Sequence, residues 1–64
     1  MSTLKISLKA ARINAGLTML EAAKQIGISI HTLRKYEHGQ AYPSIPEIKK
    51  IESTYAVCYN DIVF

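Results

Sequence analysis

Apolar positions along the chain recur every three or four residues, and glycine or proline interrupts them at Gly16, Gly27, Gly39, Pro43 and Pro46. That spacing predicts helices joined by short turns. A first helix is expected after Ser7, with Leu8, Ala11 and Ala15 as its buried stripe. Gly16 can take the left-handed conformation that ends many helices, and Leu17 supplies the apolar contact that often accompanies it. Thr18 and Glu21 have the spacing of a capping box, in which each side chain satisfies the other's orphan N–H. The second helix then covers residues 19 to about 25, turning Ala22, Ala23 and Ile26 inward. After Gly27 and a turn of three residues, Ser29 caps a third helix over residues 30 to about 37, with Leu33 and Tyr36 in the core. Beyond a loop at residues 39–43, Ser44 and Glu47 repeat the capping box, and Pro46 falls in the first turn, where its missing N–H costs nothing. This fourth helix is expected to reach about residue 53 and to bury Ile45, Ile48 and Ile51. A connection at residues 55–58 leads to a short fifth helix, residues 59 to about 63. No stretch alternates with period two for long enough to predict a strand. The pattern is all-α.

Helices two and three carry the functional reading. Their short turn demands close approach, which the small Ala23 permits, and a positive φ, which Gly27 supplies without steric cost. Ala22, Ile26, Ile28, Leu33 and Tyr36 bury the inner faces. The outer face of the third helix is left polar: His31, Arg34 and Lys35, with Ser29 and Thr32 near its start. Such a helix fits a major groove about 12 Å wide. Its N-terminus points backbone N–H groups toward phosphate. A DNA-binding helix-turn-helix uses these parts, here over residues 18–39.

Composition sharpens the picture. A chain of 64 residues is expected to form one domain over residues 1–64. The net charge is +3. Over residues 1–40, Lys5, Lys9, Arg12, Lys24, Arg34 and Lys35 stand against Glu21 and Glu37, a balance of +4. Over residues 41–64, Lys49 and Lys50 stand against Glu47, Glu52 and Asp61, a balance of −1. The cationic part attracts polyanions, although charge alone fits solvated surface lysines equally well. Cys58 is the one cysteine, which excludes an internal disulfide and suits a reducing, cytoplasmic setting. No signal peptide or membrane span is expected. Two histidines and one cysteine lack the count and spacing of a zinc site. There is no nucleophile–base pair, paired carboxylate or phosphate loop, so neither an enzyme, a cofactor nor a small-molecule substrate is expected.

The run LKAARINAGLTMLEAAKQIGISIHTLRKYEHGQAYPS, with IPEIKKIESTYAVCYNDIVF after it, resembles the Cro/C1-type (Xre-like) helix-turn-helix family. AGLT, the EAA…IGIS turn, the L-x-K-Y-E-x-G run and the proline-marked loop all fall in register. The resemblance implies a compact five-helix lambda-repressor-like domain that binds operator DNA, commonly as a homodimer. Such regulators include phage and prophage repressors and Cro-like proteins. Ile30, His31, Arg34 and Lys35 match positions that face bases. Ser29, Thr32 and Lys35 match positions that often contact phosphate, and Thr18, the cap of the second helix, is a further phosphate candidate. Arg12 and Glu37 match a salt-bridged pair that ties the first helix to the end of the third. Met19 stands where the family often has a phosphate-binding glutamine, and Leu20, Ile30 and Gln40 also replace more polar residues. The apolar Met19, Leu20 and Ile30 favour an alternative, a protein-interaction module on the same fold, such as an antirepressor or an antitoxin-like partner. Cys58 replaces the usual serine or threonine cap of the last helix.

Several residues have two readings. Tyr42, beside Pro43, either touches backbone phosphate or packs. His31 reads a base or is simply exposed, and His38 is expected at the helix end near its negative dipole. Cys58 is expected to be a small buried apolar residue. Val57, Tyr59, Ile62, Val63 and Phe64 divide between core and a dimer face.

Overall fold

The computed structural model describes residues 5–63. Four helices form its body: α1 (Leu8–Asn14), α2 (Met19–Ile26), α3 (Ile30–Glu37) and α4 (Ile45–Tyr55). Each begins at a hydroxyl cap. Ser7, Thr18, Ser29 and Ser44 accept hydrogen bonds from the N–H groups of Ala10, Glu21, Thr32 and Glu47. At Thr18 and Ser44 the glutamate three residues on returns a bond to the cap's own N–H, so both capping boxes are complete. Gly16 and Gly27 end α1 and α2 at φ values of 75° and 89°. Those values lie in the left-handed region, which favours glycine.

One core joins the helices: Leu8 and Ala11 from α1, Ala22, Ala23 and Ile26 from α2, Leu33 and Tyr36 from α3, and Ile51 and Tyr55 from α4. The alanines let α2 approach its neighbours closely, while Leu8, Ile26, Leu33 and Ile51 fill the volume. Burial differs from the sequence expectation at Ala15, Arg12 and Ile45, and Ile48 is only half-buried. Ala15 is exposed, because α1 ends at Asn14 and the chain turns away at Gly16. Arg12 is buried instead. Ile45 is 72% exposed. At about 100° per residue it lies roughly a quarter-turn from the face formed by Ile48, Ile51 and Tyr55.

The largest correction is at the end of the chain. Among the described residues there is no fifth α-helix. A three-residue 3-10 turn (Tyr59–Asp61) leads into β2 (Ile62–Val63), which pairs in parallel with β1 (Ile6–Ser7) in the register Ile6↔Ile62 and Ser7↔Val63. Cys58 offers no side-chain cap, and Glu52 reaches across to accept the Tyr59 N–H at 2.8 Å. Extended backbone at Ile62 lets its side chain enter the core over α1. Fold class is thus mostly helical, with a two-stranded ribbon added. Helix α4 also runs two residues past the expected end, so Tyr55 belongs to the helix and core. Cys58 is exposed, not buried. Of the last apolar cluster, Ile62 is core, Val57 is half-buried, and Tyr59 and Val63 are exposed. Phe64 lies outside the described residues.

Candidate nucleic-acid interface

Helix α3 divides cleanly. Leu33 and Tyr36 are buried, and Glu37 and Ile30 are partly so. His31, Arg34, Lys35 and His38 are exposed. Their i, i+3, i+4, i+7 spacing puts them on one stripe, opposite the core. The sequence reading placed His38 at the helix end, and it is indeed the C-cap residue. Its membership of the outward stripe was missed, although the seven-residue spacing from His31 would have revealed it.

No carboxylate interrupts that stripe. Glu37 is the only acidic residue of α3, and its side chain is turned inward with only 3% exposure. Arg12 Nε donates to Glu37 Oε2 at 2.8 Å, and Arg12 Nη1 donates to the Leu17 carbonyl at 3.1 Å. One arginine thus joins α1, the α1–α2 connection and α3. The pair also keeps a negative charge off the outer face of α3. Tyr36 ties the other side of α3 to α4, donating to Glu47 Oε1 at 2.6 Å. Burial and that bond push the Tyr36 hydroxyl up to about 12. The same bond, with those from Ser44, holds the Glu47 carboxyl below its ordinary value.

The start of α3 is the most anion-friendly helix end in the motif. Its first turn carries no acidic residue, so the positive end of its dipole is uncompensated. Ser29 Oγ accepts from the Thr32 N–H, and the two hydroxyls lie 3.0 Å apart. Whichever hydroxyl donates in that pair, one hydroxyl proton remains for an outside acceptor. The start of α2 differs. Glu21 sits in its first turn, held ionised by hydrogen bonds from the Thr18 backbone and side chain. The single hydroxyl proton of Thr18 is thus turned to a carboxylate that also repels phosphate, so this cap is the poorer anion site of the two.

The remaining candidates separate. Tyr42 is 70% exposed, while Ala41 on one side of it packs on the core and Pro43 on the other is buried. Those two neighbours turn its ring outward just beyond α3. Met19 and Ile30, the first residues of α2 and α3, both pack against the core. Leu20 does not and is 55% exposed. Among the described residues, no group of histidine, cysteine and acidic side chains could hold a metal ion, and no helix is long and apolar enough to cross a membrane.

Two capped helices across a glycine turn, with one polar outward stripe, occupy the middle of a longer match. The helix-turn-helix family model matches residues 8–57. The chain belongs to the Cro/C1-type helix-turn-helix family. Members are DNA-binding regulators, and the described chain is such a regulator in its fold and motif. The Cro/C1-type match runs from the start of α1 to the residue after the Ala56 cap of α4, and so stops short of the 3-10 turn and β2. No curated protein sequence matches the chain.

Proposed function

We propose that the protein is a sequence-specific transcriptional regulator that inserts α3 into the major groove of operator DNA. The observation that carries this reading is the outward stripe of α3, cationic and free of carboxylate because Glu37 is paired inside with Arg12. In this reading His31, Arg34 and Lys35 reach base edges, with Ile30 beside them. Thr18, Ser29, Thr32, Lys35 and Tyr42 lie along the phosphates. Arginine facing guanine in a bidentate pair is the commonest specific contact in a major groove, so Arg34 is assigned the principal discriminating role. The protein acts as a cytoplasmic homodimer on a two-fold operator, as a repressor or Cro-like protein of phage or prophage origin. The alternative protein-binding role draws on fewer residues than the sequence offered, since Met19 and Ile30 pack inward and Leu20 alone of the three is well exposed.

The test is equilibrium binding to duplexes selected from a randomised library, read by fluorescence anisotropy. Arg34→Ala should cost about 1–3 kcal/mol on the selected duplex and much less on random DNA. Affinity should fall steeply and linearly with the logarithm of salt concentration. If the protein enriches no duplex even at low salt, the reading fails. Inverted repeats beside the gene, protected by the protein in footprinting, would mark the operator.

A further inference from the structure

Ile30 is the one apolar residue among those assigned to the bases. It is the first residue of α3, partly buried and packed against the core. On the helix it sits at the border between the buried face and the outward stripe, with Arg34 one turn further along. A β-branched side chain in a helix has essentially one χ1 rotamer. Ile30 is therefore a fixed apolar edge, held by the core from behind, and it loses little freedom when something packs on its front.

A side chain with no donor or acceptor cannot serve the polar edge of a base. Placed over guanine N7 and O6, adenine N7 and N6, or cytosine N4, it would strip water from polar groups without replacing their hydrogen bonds. The one apolar group displayed in the major groove is the C5-methyl of thymine. The same group is carried by 5-methylcytosine. We infer that Ile30 makes the site selective for a pyrimidine C5-methyl group, thymine or 5-methylcytosine, next to the base read by Arg34. Cβ atoms one helical turn apart are about 5–6 Å from each other. Base pairs rise about 3.4 Å each. The methyl therefore falls within one or two base pairs of the Arg34 contact. This inference rests on the DNA reading above and adds to it the chemistry of one operator position.

The experiment changes the DNA first, so it needs no protein variant to fold. From the selected duplex, each thymine within two base pairs of the Arg34-dependent base is replaced in turn by uracil, which lacks only the methyl group. At one position the wild-type protein should lose about fourfold in affinity, the worth of one buried methyl. Cytosine there should bind more weakly than 5-methylcytosine by a similar factor. For Ile30→Ala the thymine-to-uracil ratio should fall to about one, with the salt dependence unchanged. Ile30→Val, which keeps the branch, should retain most of the ratio. Equal binding of thymine and uracil duplexes at every position, by a wild-type protein that still binds DNA, overturns the inference and leaves the DNA reading intact. Discrimination that persists unchanged in a folded Ile30→Ala variant overturns the assignment to Ile30. Failure to select any duplex overturns the DNA reading and this inference together.

Discussion

Arg12 and Glu37 show how a charged residue can serve a reading surface from inside the protein. Their side chains are only 10% and 3% exposed, 2.8 Å apart. In such a setting the two single losses are worse than the double loss, because each strands the other charge. Arg12→Met should therefore destabilise by about 3–5 kcal/mol, enough to unfold much of a domain this small. Adding Glu37→Leu to it should recover most of that loss in urea denaturation. A double variant no more stable than Arg12→Met would show that the pair contributes more than mutual neutralisation. No local pattern signals this contact, since the partners stand 25 positions apart, and only family likeness joins them. Arg12 was also displaced in the periodic reading by Ala15, because hydropathy patterns treat a buried arginine as solvent-facing.

Among the elements, α1 to α3 were the most legible. A serine or threonine cap and a glycine at the end, joined in α2 by a glutamate three positions after the cap, are local chemistry, and local chemistry fixes helix limits. The expected and observed starts of α2, α3 and α4 coincide. The end of α4 was not legible because no glycine or asparagine marks it. Ala56 takes the left-handed role at φ 56°, ψ 46°. A residue with a Cβ pays roughly 1–2 kcal/mol for that conformation. Ala56→Gly should relieve the strain, offset in part by the greater freedom of glycine in the unfolded chain. A net gain of about 0.5–1 kcal/mol is expected, visible as a higher thermal midpoint. An unchanged or lower midpoint would mean that the alanine methyl makes a contact worth as much as the strain. The last element failed for a different reason. A short helix over residues 59 to 63 is the natural expectation in an otherwise helical chain, while two-residue strands have no alternation to detect. What decides them is a tertiary event, the pairing of Ile62 with Ile6.

For the molecule as a whole, the polar bonds between elements set a pH window. Glu47 is held below its usual value of 4.5 by Tyr36 and Ser44. A lowered carboxyl contributes stability that is present above pH 4.5 and is lost as pH falls through its folded value. Tyr36 and Tyr55 shift the other way, from 10.0 to about 12. Burial is the main cause for both, with the bond to Glu47 next at Tyr36 and the charge of Glu37 next at Tyr55. Because the neutral form is favoured in the fold, their contribution is full below pH 10 and is lost as pH rises from 10 toward 12. Urea midpoints should therefore hold level from about pH 5 to 10 and fall on both sides. Tyr36→Phe should shrink the alkaline fall, and adding Tyr55→Phe should shrink it further. An alkaline fall of undiminished size in the double variant would assign it to other groups. Tyr55 is well suited to the substitution, since its hydroxyl has no hydrogen-bond partner among the described residues.

The ribbon that joins Ile6–Ser7 to Ile62–Val63 has a kinetic consequence. The contacts of α2 with α3 are local in sequence, whereas the ribbon closes a loop over almost the full described chain. Loop closure grows costlier with length, and non-local contacts form slowly. During synthesis the helix-turn-helix is complete well before Val63 exists, so the nascent chain carries its DNA-facing motif before the ribbon can form. Closure of the ribbon is therefore expected to come late in assembly, and hydrogen exchange at Ile62 and Val63 should be faster than in α2 and α3. Ile62 packs over α1, the helix that Arg12 ties to α3 through Glu37, so the ribbon abuts the support of the outward stripe without touching the stripe itself.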